Sequence, residues 1–70
     1  MKYYFVTLQA KSRSGDIQYW NDVINISPMQ YVTDNIEAEE NASISSYYDY
    51  CITNTLEISE EEYNKWKNEF

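Results

Sequence analysis

No histidine occurs in these 70 residues, and cysteine, glycine and proline occur once each. Each scarcity removes a class of chemistry. Without histidine the chain lacks the usual general base, the commonest metal ligand and the side chain that switches charge near neutrality. A lone Cys51 excludes an intrachain disulfide and a cysteine-built zinc site, and it has no imidazole to make it a thiolate. It reads as a small side chain filling a strand position, and a single thiol fits a reducing compartment, so the expected location is cytoplasmic. One glycine, Gly15, cannot build a glycine-rich phosphate loop. No apolar run is long enough to span a bilayer. The apolar start Tyr3-Tyr4-Phe5-Val6 is broken by Gln9, Lys11 and Arg13 before a signal peptide's apolar region could form.

Positive charge is also scarce. Five Lys and Arg face twelve Asp and Glu, a net charge of −7. Lys2, Lys11 and Arg13 are the only charges before Asp16, and from Asp16 to Asn64 every charge is negative. That balance disfavours binding nucleic acid through its phosphates and favours a basic partner. The runs Glu37, Glu39, Glu40 and Glu60-Glu61-Glu62 lack the spaced acids and central glycine of a calcium loop. Neither has an apolar pocket to raise a carboxyl pKa. The expectation is a protein with no catalytic residue, no cofactor and no metal site.

What is present is hydrophobic alternation and an excess of tyrosine. Apolar residues make up 43% and aromatic residues 17% of the chain, too much for a disordered tail. The spacing predicts a first strand from Lys2 to Ala10, with Tyr4, Val6, Leu8 and Ala10 on one face and Tyr3, Phe5, Thr7 and Gln9 on the other. Aromatics on both faces suit either a central strand or a strand with one face against another chain. Lys11 to Asp16 is a polar turn in which Gly15 supplies a positive φ. Ile17 to about Ile26 returns as a second strand, with Trp20-Asn21-Asp22 interrupting its pattern as a bulge or bend.

Ser27-Pro28 with Gln30 reads as a helix start, and Met29, Val32 and Ile36 as the inner stripe of a helix from Pro28 to about Asn35. Glu37 to Asn41 either prolongs that helix or forms an acidic loop. From Ile44 to Ile58 every second residue is largely apolar, a third strand. Ser59 and Glu62 then form a capping box, with Glu60 to Glu62 at the positive end of a helix dipole. Tyr63, Trp66 and Phe70 make its inner stripe, with Trp66 the anchor. The fold class is α+β: one domain over residues 1–70, a small three-stranded sheet in ββαβα order with one or two short helices packed on one face. A core this thin stands alone as a monomer or gains burial as a homodimer.

Eight tyrosines and two tryptophans exceed what such a core can hold, and tyrosine suits interfaces. The expected function is therefore stoichiometric binding of a larger basic protein. Glu37, Glu39, Glu40, Asp49 and Glu57 form its acidic surface, and Tyr3, Tyr47 and Trp20 its aromatic anchors. In size and charge alone the chain resembles the inhibitors that phages and mobile elements use against bacterial defence nucleases. Some of these mimic the charge of DNA, which implies the same for these five carboxylates. The alternative is a homo-oligomeric sponge for a nucleotide-like signal, with Arg13 and Lys11 as its anion-binding residues beside the aromatics.

Overall fold

The computed structural model describes residues 1–42 and 46–69. The elements run β1 (Tyr3–Ser12), β2 (Ile17–Ile24), α1 (Pro28–Glu40), β3 (Tyr47–Ile58) and α2 (Glu60–Glu69). The α+β class, the three strands and the ββαβα order are those the sequence leads one to expect. The expected start of the third strand at Ile44 and the place of Phe70 in the last stripe lie outside the described residues.

The sheet order is β2-β1-β3, with both pairings antiparallel. β1 is central, and both of its faces are covered. Val6, Leu8 and Ala10 are buried on one face, while Tyr3 and Phe5 meet Tyr63 and Trp66 of α2 on the other. Gly15 takes φ +94°, letting the turn close with Gly15 N–H donating to the Ser12 carbonyl at 2.9 Å.

The two helices do not share a face. Each shields one side of the sheet, and β3 serves both. Leu56 and Ile58 stand opposite Phe5 and Tyr3, on the α2 side. The register slips between Thr7 and Leu8, so that Asn54 faces Thr7 but Ile52 faces Leu8. One extra residue reverses the pleat, and the apolar stripe of β3 crosses from the α2 side to the α1 side there. A second slip lies between Gln9 and Lys11, where Asp49 takes φ +55°, a left-handed conformation that a short polar side chain tolerates.

The expected interruption at Trp20-Asn21-Asp22 is absent, since β1 and β2 pair without a shift across it. Asn21 is accommodated because Thr7 Oγ1 donates to its Oδ1 at 2.8 Å across the ladder. The irregularities fall in β3 instead.

α1 runs to Glu40, so the acidic segment through Glu40 is helix. Of the expected Met29–Val32–Ile36 stripe, only Val32 turns inward. Met29 is 74% exposed and Ile36 37%, whereas Tyr31, Val32, Asn35 and Glu39 are half-buried. Polar bonds set this rotation. The Tyr31 hydroxyl reaches Asp22 at 3.4 Å, and Glu39 reaches the start of β3. Ser27 caps the helix by accepting Gln30 N–H at 3.1 Å, but the Gln30 side chain turns to Asp34 at 2.7 Å rather than completing a capping box. In α2 the box is complete: Ser59 N–H donates to Glu62 and Glu62 N–H to Ser59 Oγ, at 3.0 and 3.1 Å.

Candidate functional site

The negative ends of a helix and of a charge distribution coincide at one place. The last turns of α1 carry Glu37, Glu39 and Glu40, with no basic residue in the last turn. Carboxylates at a helix C-terminus oppose the macrodipole and cost stability. The glutamates at the start of α2 have a structural reason in the dipole and the capping box, and those at the end of α1 do not.

Beside that end of α1, β3 begins. Ile36, Glu39, Glu40, Tyr47, Tyr48, Asp49 and Tyr50 line an open groove of about 440 Å³. Three of the five expected acidic residues and one expected aromatic thus converge. Glu37 lies one turn before Glu40 on the same side of α1. Trp20 joins through Tyr47, whose ring it meets edge-on at 5.1 Å. Tyr47 and Tyr48 face opposite ways, and Tyr48 stays 48% exposed.

Within the groove Glu39 is a positioning residue. Its carboxylate accepts the backbone N–H groups of Ser46 and Tyr47, the latter at 2.9 Å, and the Tyr50 hydroxyl at 3.3 Å. It docks α1 on β3 and fixes two tyrosines. Burial, then the nearby Glu39 charge, pushes the Tyr50 phenol above the ordinary tyrosine pKa. Asp49 meets Lys11 at 3.6 Å, with both side chains largely exposed, a pairing worth little in water. Glu40 is exposed.

Two expected residues lie elsewhere. Tyr3 meets the Tyr63 ring at a tilt, with centroids 4.8 Å apart, at the far end of the sheet. Glu57 sits opposite Tyr4, eight residues along β3 from Asp49, or about 25 Å at ~3.3 Å per residue. Of the alternative pair, Lys11 is turned to Asp49 and Arg13 lies exposed in the β1–β2 turn.

A second recess of about 360 Å³ adjoins the groove, lined by Leu8, Trp20, Asn21, Asp22, Tyr31, Asn35, Tyr47 and Tyr50. Among the described residues its only charged lining residue is Asp22, which suits a neutral or cationic planar group and gives a phosphate no cation. Asp22 is the residue that sequence reasoning missed. Its carboxylate accepts the Tyr31 hydroxyl from α1 and the backbone N–H of Val23 at 2.8 Å, and pairs with Lys67 of α2 at 3.5 Å. It ties both helices to the edge of β2. An isolated acid in a strand next to two buried aliphatics was the available signal.

Comparison with protein-family models, with curated proteins and with solved structures finds no match. Among the described residues, no helix is long and apolar enough to cross a membrane.

Proposed function

We propose that this protein acts by stoichiometric binding, holding a basic segment of a larger protein in the groove between the end of α1 and the start of β3. The observation that carries this reading is the placement of Glu40, against its own helix dipole, in one groove with Asp49 and a cluster of tyrosines. Carboxylates supply the counter-charge for lysine or arginine, and tyrosine faces add cation–π contact. Such rim charges govern on-rate and specificity. In a chain of net charge −7 this surface would occupy a nucleic-acid-binding protein in place of phosphate, as an inhibitor from a phage or mobile element would.

The test is calorimetric titration with an arginine-rich peptide at low and high salt. Reversal at Glu40 or Asp49 to Lys is expected to weaken binding about fivefold to tenfold each. Glu57→Lys makes the same change in net charge at the other end of β3 and is expected to have less than a twofold effect. Equal weakening by all three would show that only net charge matters and would remove the groove from the account.

A further inference from the structure

A three-stranded open sheet has two edges, and here only one is guarded. β3's outer edge is closed in three ways. Glu39 takes the N–H groups of Ser46 and Tyr47, two register slips break the ladder, and Asp49 and Glu57 put charge along the remainder. These are the usual devices against edge-to-edge pairing.

β2 has almost none of them. Its backbone direction follows from the turn. Ser12 N–H donates to the Asp16 carbonyl at 2.8 Å, so Ser12 and Asp16 form a hydrogen-bonded pair. Such pairs alternate along an antiparallel ladder, and the register is unbroken. Gln18, Trp20, Asp22 and Ile24 therefore bond to β1, while Ile17, Tyr19, Asn21 and Val23 turn N–H and C=O outward. The bond from Val23 N–H to the side chain of Asp22 agrees, and it closes that one position. Ile17, Tyr19 and Asn21 are left as an open edge of three outward residues.

From this edge we propose that β2 pairs antiparallel with β2 of a second copy, centred on Tyr19, to give a continuous six-stranded sheet. The open set is self-complementary under a two-fold axis. Ile17 meets the partner's Asn21, Tyr19 meets the partner's Tyr19, and every outward N–H and C=O of the three residues is used. Charge permits a second copy here. Residues 17–21 are uncharged, so this is where two strongly acidic chains can approach; the register sets Asp22 opposite the partner's Asp16, and Lys67, 3.5 Å from Asp22, offsets that pair. Pairing also shields Ile17, Tyr19 and Trp20, which are 48%, 60% and 37% exposed. Among the described residues only Val6, Leu8, Ala10, Val23 and Ile24 are buried apolar residues, a core thin enough for added burial to matter. The acids of the groove at α1 are not part of this seam, and Tyr19, which the tests alter, does not line the groove, so dimer and partner binding are tested separately.

Sedimentation of the full chain up to roughly 0.5 mM tests this, with mass expected to double as concentration rises. Tyr19→Pro removes an outward N–H while leaving the β1 ladder intact. Tyr19→Glu sets two carboxylates side by side at the axis. Each is expected to raise the dimer dissociation constant roughly tenfold or more while circular dichroism stays native. In the wild type, exchange of the Tyr19 and Asn21 amides should slow with concentration while that of Gln18 and Trp20 does not change. A monomer throughout the range, or a dimer indifferent to Tyr19→Glu, would overturn the proposal.

Discussion

Single side chains do the joining in this molecule. Asp22 draws α1, α2 and the β2 edge to one carboxylate. Truncation by Asp22→Ala is expected to cost about 1–2 kcal/mol in urea unfolding, from one backbone hydrogen bond and a part-exposed ion pair. Asp22→Asn should recover a good part of that loss. Glu62 titrates below the ordinary glutamate range because the Ser59 backbone N–H, then the Ser59 hydroxyl, favour its charged form. A depressed folded pKa stabilises above the unfolded value and is lost as pH falls through the folded one. Glu62→Gln should therefore flatten the acid limb of the melting profile, and an unchanged limb would contradict the capping role. Tyr31 and Tyr50 are raised, mainly by burial and next by Asp22 and Glu39. Folded phenols then keep protons that the unfolded chain gives up, so stability is full below about pH 10 and falls as pH rises beyond it. Tyr50→Phe should lessen that alkaline fall in melting temperature.

At the scale of elements, local signals were legible where they were reciprocal. Ser59 and Glu62 state a helix start twice over, and Gly15 states a turn, so α2 and β2 begin where expected, while β1 runs two residues beyond the expected Ala10. Trp66 docks α2 through an edge-on contact with Phe5 at 5.5 Å. Trp66→Ala should undock the helix at a cost of about 2–3 kcal/mol, somewhat less than for a fully buried ring. Loss of α2 amide protection without loss of the sheet would be the accompanying sign. The faces of β3 were not legible. A strict two-residue period from Ile44 to Ile58 implies one apolar side, but the bulge near Thr53 turns the stripe over so that β3 feeds both helices. Nothing local marks that residue, since the slip is demanded by two layers competing for one strand. The rotation of α1 was missed for a related reason. Hydropathy points Met29 and Ile36 inward, while hydrogen bonds from Tyr31 and Glu39 decide the orientation. Of the site, the residue types were readable and the grouping was not. Glu40, Asp49 and Tyr47 meet because α1 ends where β3 starts, while Glu57 and Tyr3 are carried to the opposite end of the sheet.

At the scale of the whole molecule, the two proposed surfaces should respond to salt with opposite sign. Peptide binding in the groove is an attraction between opposite charges and should weaken as salt rises. Pairing along β2 joins two acidic chains through uncharged residues, so screening relieves repulsion and the dimer should tighten. Raising sodium chloride from about 0.05 to 0.5 M, where the Debye length falls to a few ångströms, should therefore loosen one complex and firm the other in the same sample. Both account for features that stability alone leaves unexplained: acids set against a helix dipole, and a sheet edge without guards.

The claim at the centre is that the end of α1 and the start of β3 form the binding surface. The most direct measurement is an amide-resolved nuclear magnetic resonance titration with an arginine-rich peptide. Saturable shifts concentrated on Ile36, Glu40, Tyr48, Asp49 and Tyr50, and reduced by salt, are the predicted result. Saturable shifts confined to α2 or to the Glu57 end of the sheet, or no saturation at all, would contradict it.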